Sequence, residues 1–214
     1  MLVVILPLIA ALTLSGAPGA KPGSSSRPDL SVSPRPTQLA VVYELDDGII
    51  SHRIFEEMSI ELERLFEPAN LQPVFRNLHA RPPHEIYERL AVARFRGECS
   101  LSPVLFNSSD EPALGFTHVS DGQILPFVGV DCDRVQKLIL PEIRGLPVAH
   151  QEVSFARALA RVLAHELYHV LAETSEHGDS GVTKACLTAK ELVQAELDIG
   201  EPEILRLRLK LQGR

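Results

Sequence analysis

Leu39 to Leu45 is a short run rich in Val and Tyr that ends at Asp46, Asp47 and Gly48, so it predicts a strand closed by a turn. The period then changes. From Ser51 to Phe66, Ile54, Phe55, Met58, Ile60, Leu62 and Leu65 recur at three- and four-residue steps among Glu and Arg, as on a helix with one buried face. Strands are predicted again at Leu71 to Phe75 and Leu90 to Phe95. A further pair, Ala113 to Val119 and Gln123 to Val130, flanks Ser120-Asp121-Gly122 and reads as a hairpin. Asp131 to Leu140 predicts a short helix stopped by Pro141. The longest helical stripe runs from Val153 to Glu173, with Phe155, Leu159, Val162, Leu163, Leu167, Val170 and Leu171 on its apolar side. Leu187 to Leu197 and Glu203 to Leu211 predict two more helices after the break at Gly178 and Gly181.

The first 37 residues follow none of these periods. Leu2 to Leu14 is almost all Leu, Val, Ile and Ala, and Ser15, Gly16 and Ala17 follow, the apolar run and small-residue site of a secretory signal peptide. Residues 1–20 are therefore expected to be a signal peptide, although no Lys or Arg precedes Lys21. Residues 21–37, dominated by Pro, Gly, Ser and Arg, read as a linker, and the folded domain as residues 38–214. The implied location is secreted or periplasmic, with no integral membrane span once the signal is removed. Export would permit one disulfide among Cys99, Cys132 and Cys186, whose pairing the sequence leaves open.

Composition adds exclusions. The 214 residues are 45% apolar and 23% charged, which suits one globular domain. With 21 Lys and Arg against 28 Asp and Glu, the net charge of −7 argues against nucleic acid as a partner.

The long helix contains His165-Glu166-Leu167-Tyr168-His169, an HExxH pattern. Residues four apart on a helix share a face one turn apart, so His165 and His169 can both ligate one tetrahedral Zn²⁺ while Glu166 stands beside the open position. Chance would produce the pattern about 0.03 times in a chain of this composition. A catalytic zinc ion takes three protein ligands, and His177, eight residues past His169, is the leading third donor. Glu173, Asp179, Glu191 and Glu196 are the rivals. Glu173 extends the same spacing, but three ligands along one straight helix spread too far to close a tetrahedron. His52, His79, His84, His118 and His150 are scattered; of these His118 ends a predicted strand and is expected near the cleft.

The motif resembles the zincin metallopeptidases, and within them the metzincin-like proteins of bacterial exported type. The matching positions are His165, Glu166 and His169, seven intervening residues, His177 and then Gly181. Leu114-Gly115-Phe116-Thr117 and Phe127-Val128-Gly129-Val130 resemble that family's sheet loosely. The resemblance implies an α/β (α+β) zincin-like fold with a mixed sheet above the HExxH helix. Two family features are missing: no Gly lies between Val170 and Glu176, and Thr183 stands where a Met is usual, Met1 and Met58 being the chain's only methionines.

With zinc held by His165, His169 and His177, Glu166 would serve as general base, and the reaction would be hydrolysis of a peptide bond in a protein or peptide substrate. Tyr168 reads mainly as a packing residue, with an oxyanion role as its alternative. Substrate is expected to pair with a strand such as Ile124 to Val130. The competing reading is a non-catalytic, zinc-stabilised exported binding domain, from which the carboxylate of Glu166 distinguishes the enzyme.

Overall fold

The computed structural model describes residues 35–46, 49–80, 84–101 and 113–213. The expected signal segment 1–20, most of the linker and the Asp47-Gly48 turn lie outside the described residues. Five strands form one sheet: β1 (Thr37–Leu45), β2 (Leu71–Asn77), β3 (Arg89–Arg96), β4 (Gly115–Ser120) and β5 (Gln123–Asp131). Their order is β2-β1-β3-β5-β4. β1 runs parallel to β2 and β3, β3 runs parallel to β5, and β4 alone is antiparallel. β1 carries four successive buried residues, Leu39 to Val42, as a central parallel strand does. The β4–β5 hairpin turns at Asp121 and Gly122, whose φ values of 50° and 75° suit a tight two-residue turn that follows the strands' twist.

Among the described residues there are five α-helices: α1 (His52–Phe66), α2 (Cys132–Ile143), α3 (Val148–Ala172), α4 (Ala189–Val193) and α5 (Glu201–Gln212). The expected α/β class, a mixed sheet with a helix carrying HExxH, is the architecture found. Ser51 caps α1 by accepting from the Ile54 amide at 3.2 Å, and Asp131 caps α2 through the Arg134 amide at 3.0 Å. α3, about 37 Å long at 1.5 Å per residue, packs against α1, α2, α4, α5, β4 and β5. Its Phe155, Leu159, Leu163 and Leu167 are fully buried, and Ala156, Ala158, Ala160 and Ala164 between them let neighbours approach closely. Among the described residues no helix is long and apolar enough to cross a membrane.

Three boundaries differ from the sequence expectation. α2 runs through Pro141 to Ile143, because a proline in the last turn forfeits one amide while the Arg144 amide still closes on Leu140 at 3.0 Å. α3 begins five residues earlier than its apolar stripe, its first turn held by the Gln151 and His150 amides on the Pro147 carbonyl. The helix expected over Leu187 to Leu197 shrinks to the five residues of α4. There Arg161, fully buried on α3, takes the carbonyls of Glu191, Leu192 and Gln194 at 2.7, 3.2 and 2.9 Å, and Arg157 takes that of Val193. A chain whose carbonyls are claimed by guanidinium groups cannot continue its own ladder.

Arg161 also reaches Glu61 on α1 at 2.9 Å, Glu61 holds Arg64, and Arg64 pairs with Asp198. This network joins α1, α3 and the chain leading to α5. A disulfide links Cys99 to Cys132, both buried, and Cys186 is an exposed free thiol.

Candidate metal centre

The site is built from the C-terminal half of α3 and the loop after it. His165 and His169, one turn apart, bring their Nε2 atoms within 3.1 Å of each other. α3 ends at Glu173, which adopts left-handed φ and ψ of 50° and 46° without being glycine. That residue makes the turn for which a Gly is usual, and it sends the chain back toward the helix. His177 then arrives with its ring centroid 5.1 Å from His165 and 4.9 Å from His169.

One nitrogen from each of the three imidazoles lies within 4.8 Å of the others. A tetrahedral zinc ion with bonds of about 2.0–2.1 Å would hold its nitrogens roughly 3.3–3.4 Å apart. The helical pair is already near that edge length, and the exposed loop carrying His177 is the arm that would close it. No carboxylate joins the group among the described residues. Glu173 pairs with Lys210 at 2.9 Å, and Glu191 is occupied by Lys184 and by the cap it forms with Thr188. Asp179 and Glu196 are absent from the cluster.

The rings are oriented from behind. His165 Nδ1 lies 2.9 Å from the Val182 carbonyl and His169 Nδ1 lies 2.7 Å from the Thr174 carbonyl. A carbonyl only accepts, so both Nδ1 atoms carry the proton and both Nε2 atoms offer lone pairs when the rings are neutral. Two lone pairs facing each other at 3.1 Å repel, and a shared cation removes the conflict. The donor set, its tautomers and its spacing thus fit a zinc ion. Burial pushes the pKa of both His165 and His169 below the ordinary imidazole value, partly offset by those carbonyls, which favours the neutral ligating form.

The shelf beneath His165 is made by a loop of close contacts. The Val182 amide donates to the Asp198 carbonyl at 2.9 Å and the Gly178 amide to the Thr183 carbonyl at 2.9 Å. Gly181 has φ of 70°, and a Cβ there would stand 2.1 Å from the Asp198 carbonyl oxygen, so the approach requires glycine. Val182 and Thr183, both fully buried, occupy the stretch in which the family resemblance would put a methionine.

Glu166 is buried beside the histidines, 7% exposed, and burial pushes its pKa above the ordinary carboxylate range. Its Oε2 accepts from the Thr117 hydroxyl of β4 at 2.7 Å. Gly115, two residues earlier on the same face, leaves room for the other oxygen: a Cβ there would stand 2.9 Å from Glu166 Oε1. The group opens on a cleft of about 1220 Å³, whose walls include Leu114, Thr117, Lys137, Leu138, Lys184 and Cys186.

Other sequence expectations resolve differently. Tyr168 is 1% exposed and its hydroxyl faces Arg206 of α5, so it is a packing residue outside the cleft wall. His118 sits between the rings of Phe116 and Phe127, on the sheet face opposite Thr117, and does not line the cleft. Ile124 to Val130 lies within β5: Val128 to Val130 pair with β3 on one side and β4 on the other and offer no edge, Ile124 to Pro126 have no partner in β3, and among the described residues no strand pairs with the outer edge of β4. Thr117 and the two carbonyls that orient the rings were not singled out from sequence, since each contact spans a loop or an element and leaves no local spacing.

Fold and site together define an α/β domain whose HExxH helix and following loop converge on three imidazoles and one buried carboxylate. The chain is similar to the crystal structure of archaemetzincin from Methanopyrus kandleri, with a TM-score of 0.49 and 13% sequence identity over 86% of this chain and 99% of that chain. No protein-family model and no curated protein matches the chain.

Proposed function

We propose that the protein is a zincin-like, zinc-dependent metallopeptidase with His165, His169 and His177 as ligands and Glu166 as general base. The observation that carries this reading is the buried carboxylate of Glu166 in the same cleft as three converging imidazoles. A purely structural zinc site is closed by a fourth protein ligand, whereas among the described residues this cluster has three. Zinc, when bound, lowers the pKa of a water molecule toward neutrality and polarises a carbonyl.

The chain's own groups do the rest. Glu166 Oε1, the oxygen not engaged by Thr117, takes the proton of the attacking water and delivers it to the departing amine. Burial raises its pKa, which makes it a stronger base toward the proton of the water than a solvated carboxylate. A substrate peptide would pair with the open edge of β4. A second cavity of about 970 Å³, lined by the start of β3 and β5 and the end of α3, shares Val119, Ile124, Thr174 and Ser175 with the first, so the cleft continues past the metal site beneath the β4–β5 turn. The buried Cys99–Cys132 disulfide supports an oxidising location, secreted or periplasmic, for a domain released from the leader 1–20.

The test is cleavage of a fluorogenic peptide library by the zinc-loaded protein, with Glu166→Gln as comparison. The variant should keep stoichiometric zinc and lose activity by about 100-fold or more. Bound zinc with no cleavage by the wild type, or equal cleavage by both proteins, would instead identify a zinc-stabilised binding domain.

A further inference from the structure

We propose that Thr117 is a positioning residue of the peptidase site, holding the carboxylate of Glu166 in the orientation from which it takes a proton; this rests on the peptidase reading above. Glu166 has three rotatable bonds and sits on a helix, so nothing in its own backbone fixes which way its oxygens point. Both oxygens are nonetheless confined by β4. The Thr117 hydroxyl donates to Oε2 at 2.7 Å, within the range of a hydroxyl-to-carboxylate hydrogen bond. The same hydroxyl lies 3.2 Å from the Glu166 backbone carbonyl, which places it over the helix turn that bears the base.

Gly115 supplies the other half. Its missing side chain lets the strand backbone close on Val162 and on Glu166 Oε1, where a Cβ would meet them at 2.8 and 2.9 Å. Strand alternation puts residues 115 and 117 on the face toward α3 and sends Phe116 and His118 to the other face. β4 thus delivers one space and one donor to the two oxygens of one carboxylate. Oε2 is held, and Oε1 is left as the oxygen that exchanges a proton. Among the described residues no strand pairs with the outer edge of β4, so the group that orients the base and the edge proposed to receive the peptide are one element.

The donor and the volume of Thr117 are separable by substitution. Thr117→Val keeps shape and loses the hydroxyl; Thr117→Ser keeps the hydroxyl and loses a methyl group. With zinc-loaded protein and a peptide that the wild type cleaves, Thr117→Val should lower kcat by about 10- to 100-fold with KM within a factor of two, and Thr117→Ser should keep at least half of kcat. Zinc affinity, measured by chelator competition, should be unchanged in both. A role in packing alone predicts the reverse order, with Val active and Ser impaired, and that result overturns the proposal. Equal loss in both variants overturns it too. If the wild type cleaves no peptide, the peptidase reading fails, and crystal structures of the two variants decide the positioning claim separately. Glu166 swung out of place in Thr117→Val but held in Thr117→Ser supports it. An unmoved Glu166 in both refutes it.

Discussion

Glu173 carries the turn on which the third ligand depends, and it does so with φ of 50° and no glycine. An unbranched side chain tolerates the left-handed region at modest strain, whereas a β-branched one clashes with its own carbonyl. Glu173→Val should therefore destabilise the fold by about 1–2 kcal/mol in urea unfolding, while Glu173→Gly stays within about 1 kcal/mol of wild type, relief of strain offsetting the lost pair with Lys210. Equal tolerance of Val and Gly would mean that the chain turns elsewhere. At this scale the sequence was legible wherever chemistry follows a fixed local spacing. His165, Glu166 and His169 stand out because an i, i+4 pair on a helix is a geometric statement, and His177 followed from the ligand count. Thr117 did not, because its partner is 49 residues away and only strand–helix packing brings them together.

α4 shows how a tertiary contact overrides a local pattern. Leu187 to Leu197 has the apolar spacing of a longer helix, yet Arg161 draws its carbonyls away after one turn. Arg161 and Glu61 are both buried, so truncating the arginine strands three carbonyls and leaves the Glu61 carboxylate with Arg64 as its remaining cation in this network. Arg161→Met should lower stability by about 3–5 kcal/mol, the range for breaking a buried pair from one side. A change below 1 kcal/mol would show that the network adds nothing. The start of α4 titrates. Glu191 is held down to about 2, first by the Lys184 ammonium and then by Thr188. Its folded pKa lies below the unfolded value of about 4.3, so its contribution is present above that pH and is lost as pH falls toward 2. The Glu191 amide resonance should shift with a midpoint near 2 in wild type and at higher pH in Lys184→Ala, still below the ordinary value because the Thr188 bonds remain. A wild-type midpoint near 4.3 would contradict the capping arrangement.

Across the whole molecule, the element sequence was readable from changes of period. The sheet order β2-β1-β3-β5-β4 was not, since strand neighbours depend on register and crossover rather than on any one strand's composition. That gap is why the sequence points to β5, apolar and well formed, as the substrate strand, whereas Val128 to Val130 of β5 are flanked on both sides and among the described residues the outer edge of β4 has no partner strand. The disulfide was equally invisible: three cysteines allow three pairings, and folding selects Cys99 with Cys132 across a separation of 33 residues. Closing a loop of that size restricts the unfolded chain by about 3–4 kcal/mol, so a Cys99→Ala, Cys132→Ala double variant should lose up to that much stability in urea. No loss would mean that the bridge does not form in solution. The account rests above all on a metal held by three imidazoles with one position left for water. Zinc-edge X-ray absorption of the loaded protein reads this directly. The expected result is three imidazole nitrogens and one oxygen ligand at about 2.0–2.1 Å, falling to two imidazoles in His177→Ala. A sulfur scatterer at about 2.3 Å, from the nearby Cys186, or an imidazole count unaffected by loss of His177, would contradict it.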